Sequence, residues 1–304
     1  MEIIKHKGFF RVNSDDFSIS LDCNDSESNF AFLSHSHSDH LFKTSTPAIM
    51  SNETHKLAKL RGYDYSLAKN VPENISLLDS GHMIGSKSLF INDCNDSMLF
   101  TGDFSTKSRA FINGLKVKKC KNLIIESTFG KPEFIFPNHL GEVKRAKDFI
   151  KENARKDYLT VLMGYPLGKM QEIMHYFRDY SSIVHPEIKK YLPMLNSFGL
   201  CECNACEKKP DVLFCPSLNS KNDYFSPFKR MRGLKFGVFS GWNINPFYKK
   251  RFGADEGFTL SDHADFKELL LTVKKSGAEN VYVHHGYSKE FSNFLRIEGI
   301  NAIN

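Results

Sequence analysis

Residues 32–40 read Phe32-Leu33-Ser34-His35-Ser36-His37-Ser38-Asp39-His40. This segment is the part of the 304-residue chain that indicates its fold most strongly. Three histidines and one carboxylate fall within six residues, directly after an apolar segment. Imidazole nitrogens and carboxylate oxygens are the usual ligands of catalytic zinc. A strand carrying His35 and His37 would place both on one face, because side chains alternate along a strand. One metal ion rarely takes four ligands from so short a segment, so the pattern indicates two metal ions. The alternative is a histidine-rich surface loop.

The composition is that of a globular protein. Apolar residues make up 41% of the chain and include 27 phenylalanines, which is enough for a substantial core and gives no sign of disorder. No apolar run reaches the length of a membrane span, and the N-terminus lacks the apolar region of a signal peptide. The sequence therefore predicts a soluble, cytoplasmic protein without membrane contact.

The seven cysteines do not form an obvious disulfide framework, because their number is odd and Cys23, Cys94 and Cys120 stand alone. A second group resembles a structural zinc knuckle, with Cys215 following later: Cys201, Cys203 and Cys206. Its spacing is irregular and Cys215 falls in a strand-like segment. Reduced thiols are favoured, and an extra structural zinc is the alternative.

The chain carries a mild positive charge. Its 41 Lys and Arg exceed its 35 Asp and Glu by six, and the isoelectric point is near 8.8. Such a balance is compatible with a polyanionic partner such as nucleic acid, although many basic proteins bind none.

The pattern of elements predicts an α/β unit inserted into another α/β domain. Up to about residue 135 the chain alternates short apolar strands with turns, including a hairpin over residues 88–101 and a strand over 121–126. From residue 138 helices and strands alternate, and Asn138 is placed to cap the first helix. After residue 238 the chain returns to the first domain and ends with a helix stopped at Gly277 and a strand. The predicted domains are 1–135 with 239–304, and 136–238.

Two further residues lie where metal ligands would be expected. His82 sits between Gly81 and Gly85, which permit sharp turns and a close approach of the backbone. Asp103 follows a strand that ends at Thr101-Gly102, so its carboxylate would project beyond a sheet edge and could bridge two metals. Either residue alone is more often structural, but together with residues 35–40 they favour a metal site.

Four more candidates stand at the ends of elements. Glu126 ends the apolar strand and His263 precedes the last long helix. Of the adjacent His284 and His285, at most one should face a shared site, because neighbouring strand residues point in opposite directions. Isolated histidines in such places are more often buried core groups.

These motifs together resemble a known family. Residues 35–40, Gly81-His82 and Thr101-Gly102-Asp103 are similar to the metallo-β-lactamase fold, and Glu126, His263 and His285-Gly286 resemble three additional motifs of the β-CASP nucleases. Further stretches resemble the compact archaeal mRNA 3′-end processing factor-like and bacterial DNA ligase-associated exonucleases: 126–130, 164–169, 240–242 and 257–265. The resemblance covers essentially the whole chain. It implies an α/β fold, namely a metallo-β-lactamase αββα sandwich with an inserted small β-CASP domain.

The resemblance also implies roles for these residues. One zinc would be held by His35, His37 and His82, and a second by Asp39, His40 and His285, with Asp103 as the bridge; manganese could substitute. His285 is chosen over His284 because the family places its ligand before a glycine. Glu126 would orient His263 as the general acid, and Asp39 would orient the attacking hydroxide.

Substrate contacts are less defined. Lys169 follows a glycine turn at a helix start, which favours a phosphate contact, with a solvated lysine as the alternative. Ser127 and Ser261 are further candidates beside Glu126 and His263. The single tryptophan, Trp242, could stack on a base, although core packing is favoured.

The implied function is a zinc-dependent nuclease. A DNA exonuclease acting on single-stranded ends in DNA repair is favoured, with a DNA ligase or helicase as a functional partner. An RNA nuclease in RNA processing is the main alternative. A small-molecule esterase of the same fold, or a nucleic-acid-binding protein without activity, is less favoured, because Glu126 and His263 have no purpose in ester hydrolysis and no ligand is missing. The sequence does not indicate polarity, end chemistry or oligomeric state.

Overall fold

A computed structural model describes residues 1–6, 9–93, 96–197 and 209–304. It is a mixed α/β structure with three sheets. The chain forms two compact units: unit 1 contains Met1–Phe134 and His263–Asn304, and unit 2 contains Ile135–Asp262. No helix among the described residues is both long and apolar enough to cross a membrane.

The strands follow one another along the chain as β1 (Glu2–His6), β2 (Phe9–Asn13), β3 (Ser18–Leu21), β4 (Phe30–Phe32), β5 (Ala48–Ile49), β6 (Ile75–Asp79), β7 (Lys87–Asp93), β8 (Asp96–Phe100), β9 (Asn122–Glu126), β10 (Tyr158–Gly164), β11 (Ser182–Val184), β12 (Val212–Pro216), β13 (Gly233–Phe239), β14 (Glu256–Phe258), β15 (Asn280–His284) and β16 (Ala302–Ile303). The α-helices are α1 (Asn52–Leu60), α2 (His139–Arg155), α3 (Lys169–Tyr176), α4 (Pro186–Lys189), α5 (Leu192–Asn196), α6 (Ser226–Met231), α7 (Phe266–Ser276) and α8 (Ser288–Ile297). Short 3₁₀ helices span Asp223–Phe225, Gly241–Ile244 and Tyr248–Phe252.

Unit 1 contains two sheets that share an apolar core. The first has the order β1-β2-β3-β4-β5 and the second the order β16-β15-β9-β8-β7-β6. Buried side chains from both sheets form one cluster: Phe10, Ile19 and Phe32 with Leu89, Phe100 and Ile124. Helices α7 and α8 cover the other face of the second sheet, where Leu269 and Leu295 pack on Leu123 and Ile125. Helix α1 packs through Ala58 in a cluster with Ala48 of the first sheet and Leu33, which follows β4.

The second sheet brings strand ends together at one edge. β9 pairs in parallel with β8 and with β15, and His284 lies directly opposite Glu126. Parallel strands have their carboxyl ends at the same edge, so the residues that follow β8, β9 and β15 are neighbours. The predicted hairpin is present as the antiparallel pair β7 and β8.

Local sequence explains the helix ends. Asp265 caps α7 by accepting a hydrogen bond from Glu268 N, and Gly277 ends it in the left-handed conformation at φ 60°. Asn138 caps α2 in the same way, through Gly141 N. The Asn138 cap and the Gly277 stop agree with the sequence-based prediction.

Unit 2 is an α/β unit around a parallel sheet. The order β11-β12-β10-β13-β14 has all neighbours parallel, with buried clusters on both faces. The predicted return to the first domain at residue 239 differs from the structure, because β14 pairs with β13 and keeps residues 239–262 in unit 2.

The prediction that a strand carries His35 and His37 is also wrong. β4 ends at Phe32, and both histidines lie in the loop that follows it. Their convergence therefore depends on loop geometry, not on strand alternation.

Candidate active site

The candidate metal ligands lie on loops that follow strands of unit 1. His35, His37, Asp39 and His40 follow β4, His82 follows β6, and Asp103 follows β8. The His82 loop needs glycine before the histidine. Gly81 has φ 77°, and a Cβ atom there would lie 2.1 Å from the carbonyl oxygen of Ser105.

The structure brings these side chains into three overlapping groups. Within each group the potential ligand atoms lie within 4.8 Å of one another: His35, His37 and His82; His35, His40 and Asp103; and His82, Asp103 and His263. The carboxylate of Asp103 is common to two groups. Its Oδ2 atom lies 3.6 Å from His35 Nε2, 3.4 Å from His40 Nε2 and 3.7 Å from His82 Nε2.

These residues fit a metal by the chemistry of their donors. His35 Nε2 is fully buried and has no hydrogen-bond partner among the described residues. His37 Nδ1 and His82 Nε2 face each other at 3.1 Å. A buried polar atom without a partner is costly. Three converging imidazoles with a carboxylate are a donor set that zinc takes.

Asp39 and His285 border this cluster. Asp39 Oδ2 lies 3.9 Å from His40 Nε2, and its side chain is 71% exposed. The ring of His285 stacks on that of His40 with 5.4 Å between centroids. His285 adopts φ 55° and Gly286 also has φ 55°, so the chain turns sharply after β15.

His284 belongs to the core. It is the last residue of β15, and its ring packs against Phe10 and Phe100 at 5.6 and 5.5 Å. Burial, followed by the neighbouring His285, lowers its pKa well below the usual value. The two adjacent histidines therefore have different surroundings.

The charges of the cluster are set by burial and by close neighbours. Burial, and then the imidazoles of His40, His82 and His37, lower the pKa of His35 well below its usual value. Burial also acts against the charged form of His40, but Asp103 and Asp22 outweigh it and raise that pKa well above its usual value. Burial acts against the charged form of Asp103 as well, yet its pKa is held well below the usual value, mainly by His40. Asp103 is thus an ionised carboxylate at neutral pH.

Asp22 supports two of these histidines, and the sequence analysis missed it. Its Oδ2 lies 2.9 Å from His40 Nδ1 and accepts a hydrogen bond from Ser34 Oγ at 2.6 Å. Ser34 Oγ in turn lies 2.9 Å from His35 Nδ1. Partners of this kind fix ring orientation and tautomer in metal sites. A lone aspartate after a strand has no spacing that could have revealed this role.

Arg109 was missed as well. It is 4% exposed, and its Nη2 donates to the carbonyl oxygens of Gly81 and His82 at 2.8 and 3.4 Å. The guanidinium therefore holds the loop that carries His82.

Glu126 and His263 form a hydrogen-bonded pair beside the cluster. His263 Nδ1 lies 2.9 Å from Glu126 Oε1 and 3.1 Å from Oε2. The carboxylate also accepts bonds from Phe104 N and from the amide and hydroxyl of Thr128. These donors fix the carboxylate of Glu126. Because His263 Nδ1 faces that carboxylate, the Nε2 atom is the one directed towards the potential ligand atoms of His82 and Asp103.

Two of the predicted substrate contacts are buried and hydrogen-bonded within the protein. Ser127 is fully buried, and its hydroxyl donates to the carbonyl oxygens of His284 and His285 at 3.0 and 2.6 Å, which holds the turn after β15. Lys169 is 5% exposed, and its ammonium donates to Asp262 at 2.9 Å and to the carbonyl oxygen of Leu260 at 3.1 Å. Both groups are engaged in hydrogen bonds inside the protein, and their contact with a phosphate stays a prediction.

The remaining candidates lie in unit 2. Ser261 is 9% exposed, and Trp242 is half-buried within a 3₁₀ helix. The predicted zinc knuckle at Cys201, Cys203 and Cys206 lies outside the described residues. The described cysteines are free thiols, and burial raises the pKa of each to about 12: Cys23, Cys120 and Cys215.

Comparison with known proteins gives several relatives. A probable DNA ligase from Opitutus terrae is 27% identical over 289 residues, which is 90% of this chain and 28% of that protein. An RNase J-like protein from Methanocaldococcus jannaschii is 25% identical over 130 residues, or 41% of this chain and 31% of the relative. Endoribonuclease YSH1 from Yarrowia lipolytica is 27% identical over 162 residues, or 53% of this chain and 18% of the relative.

The resemblance to the β-CASP nucleases is confirmed. The likeness to the ligase from Opitutus terrae extends over most of both units of this chain. The chain spans less than a third of the length of each of these relatives. No protein-family model matches the chain.

Proposed function

We propose that this chain is a metal-dependent nuclease that hydrolyses phosphodiester bonds at single-stranded DNA ends. The observation that carries the proposal is the hydrogen-bonded Glu126–His263 pair beside the buried cluster around Asp103. An ester or lactam hydrolase needs no such pair. Cleavage of a phosphodiester needs a proton for the leaving ribose oxygen, and a histidine held by a carboxylate can supply it.

The proposed architecture follows the family. Unit 1 would be the metallo-β-lactamase αββα sandwich, since helices cover the outer faces of its two sheets. Unit 2 would be the β-CASP insertion, since it interrupts unit 1 and contains its own parallel sheet.

Two zinc ions, or manganese as a substitute, would occupy the cluster. His35, His37 and His82 would hold one ion; Asp39, His40 and His285 would hold the other, with Asp103 between them. When bound, such ions lower the pKa of a water molecule and polarise a phosphoryl oxygen. Asp22 would hold His40 in the correct tautomer, and Arg109 would hold the loop of His82.

Glu126 and His263 would act on the leaving group. With Nδ1 directed at Glu126, His263 presents Nε2 as the atom that gives a proton to the leaving oxygen. The adjacent carboxylate keeps the ring in position.

The names of the relatives are compatible with either DNA or RNA as the substrate of the proposed nuclease. The relative that matches 90% of this chain is a probable DNA ligase, which favours DNA repair and a ligase or helicase as a functional partner. Two others are named an RNase J-like protein and an endoribonuclease, so RNA cleavage in RNA processing is the second candidate.

The proposal is tested with end-labelled single- and double-stranded DNA and RNA of one sequence, with zinc or manganese added. The wild-type protein should shorten single-stranded DNA faster than the other three substrates. His263→Ala and Asp103→Ala serve as inactive controls. Absence of cleavage of all four substrates would overturn the nuclease assignment, and faster cleavage of RNA would move the preference to the second candidate.

A further inference from the structure

The net positive charge of the chain comes from unit 2. Unit 2 has 20 Lys and Arg against 14 Asp and Glu, whereas unit 1 has 21 of each. The entire net charge of +6 therefore comes from unit 2. A nucleic acid that binds by charge would meet its main attraction there.

Part of this charge is gathered where two segments of unit 2 meet. Ser220 N donates to the carbonyl oxygen of Phe252 at 2.8 Å, and Asn219 Nδ2 donates to that of Arg251 at 3.2 Å. Lys229 Nζ reaches the carbonyl oxygen of Ser220 at 2.7 Å. The side chains gathered here form a basic–aromatic patch: Lys221, Lys229, Phe247, Lys250 and Arg251.

The side chains of the patch are exposed, and three of its charged groups form no ion pair within the described part of the chain. Phe247 is 65% exposed, and Lys250 Nζ lies 4.7 Å from the centre of its ring. Lys221, Lys250 and Arg251 are exposed and form no ion pair within the described part of the chain.

Two of the three carboxylates in these segments are already engaged. Asp255 lies 2.8 Å from Lys235, and Glu256 lies 3.5 Å from Arg145 and 3.9 Å from Lys249. The third, Asp223, follows Lys221 by two residues, so the four basic side chains of the patch keep an excess of positive charge.

We propose that the basic–aromatic patch binds single-stranded nucleic acid outside the metal cluster. The inference rests on the proposed function for the identity of the strand. Lys221, Lys250 and Arg251 would contact phosphates, and the exposed ring of Phe247 would stack on an unpaired base. The patch is built from the loop after β12, helix α6 and the connection from β13 to β14. Loops after parallel strands are where ligands bind to such sheets.

Binding is measured by the fluorescence anisotropy of a labelled 30-nucleotide strand, with the zinc-loaded full chain carrying His263→Ala to prevent cleavage. In that background, Lys221→Glu with Lys250→Glu and Arg251→Glu should weaken affinity about 30-fold or more at low salt. The slope of log K against log salt should become less negative by about 2, since each phosphate contact on a single strand contributes about 0.7.

A matched control changes the same charge on unit 1. Lys118→Glu, Lys119→Glu and Lys275→Glu alter exposed residues near the start of β9, at the opposite end of that strand from Glu126. Their affinity should fall less than about threefold. An equal loss of strand affinity in the two triple variants would overturn the proposed binding at the patch, because the loss would then reflect only the net charge of the chain.

Phe247→Ala tests the aromatic part separately. It should weaken binding of the single strand about five- to tenfold and leave the salt slope and duplex binding unchanged. An equal loss for single strand and duplex would overturn the stacking role.

Turnover of bis(p-nitrophenyl) phosphate separates this proposal from the proposed function. The patch variant with the native His263 should hydrolyse this small diester at the wild-type rate, because the diester has neither bases nor a long backbone to contact the patch. If wild-type protein cleaves neither this diester nor any of the DNA and RNA substrates, the nuclease assignment fails, while weaker strand binding by the patch variant would still support the patch. If the diester is cleaved and the patch variant binds the strand normally, only the patch fails.

Discussion

Replacement of Asp22 by asparagine tests whether the support of the histidines matters for metal binding. Asp22 accepts hydrogen bonds from Ser34 N and Ser34 Oγ, each at 2.6 Å, and lies 2.9 Å from His40 Nδ1. It adopts φ 49°, a conformation that asparagine tolerates well, so Asp22→Asn should keep the backbone. The change replaces one carboxylate oxygen by an NH₂ group and removes the negative charge.

The size of the effect follows from the two contacts of Oδ2. An amide nitrogen at that position cannot accept from Ser34 Oγ or from the protonated Nδ1 of His40. Loss of such a supporting partner costs about 10- to 100-fold in metal affinity, or about 1.4–2.7 kcal/mol. One charge-assisted hydrogen bond contributes about 1.5–3 kcal/mol to stability, so the melting temperature should also fall by several degrees.

Zinc affinity is measured by competition with a chromophoric chelator, and zinc content by elemental analysis after dialysis. Asp25→Asn is the matched control, because Asp25 lies in the same segment and forms an ion pair with Arg11 instead of contacting a histidine. It should leave zinc affinity unchanged. Wild-type zinc affinity in Asp22→Asn, or an equal loss in both variants, would refute the reasoning.

Three further changes have defined outcomes. Glu126→Gln should reduce the rate of phosphodiester cleavage by about 10²- to 10⁴-fold with zinc content unchanged, measured by single-turnover kinetics, because the general acid loses its carboxylate partner; unchanged cleavage would exclude that role. Lys169→Met should destabilise the chain by about 3–5 kcal/mol in urea unfolding, since it removes the Lys169 ammonium from the buried Asp262 carboxylate; normal stability with weaker strand binding would support the predicted phosphate contact instead. Glu268 forms an ion pair with Lys107 at 3.0 Å, and although burial alone would raise its pKa, this pair lowers it. Its contribution is therefore present above the unfolded pKa of about 4.3 and is lost as the pH falls through the lower folded value. Glu268→Gln should flatten the dependence of the melting temperature on pH below about 5, and a curve like that of the wild type would contradict this.

The sequence predicted much of the site because ligand chemistry is local. Residues 35–40 carry their donors within one short segment, so no knowledge of packing was needed to expect a metal there. His82 and Asp103 could be added because glycines or a strand end mark their positions. Asp22 carries no such mark, since its role depends on the distance to His40 across the fold.

Burial and long-range contacts are features that the sequence does not reveal for the candidate substrate contacts. A lysine at a helix start resembles a phosphate ligand in sequence, but Lys169 is enclosed with Asp262, which lies 93 residues later. Ser127 is likewise occupied by the carbonyl oxygens of residues 284 and 285.

The domain boundary was misplaced for a related reason. β14 has only three residues, and pairing with β13 makes it part of unit 2. Such a short strand carries little periodic signal.

The pairing of β9 with β15 has a consequence for the synthesis of the protein. Glu126 and His263 are 137 positions apart, and β15 joins the second sheet only after the whole of unit 2 has been made. Closing such a long loop is slow compared with local folding. A nascent chain that already displays residues 35–40 would therefore lack both His263, the proposed proton donor, and His285, and under the proposed function it could not cut nucleic acid until residue 285 had been made.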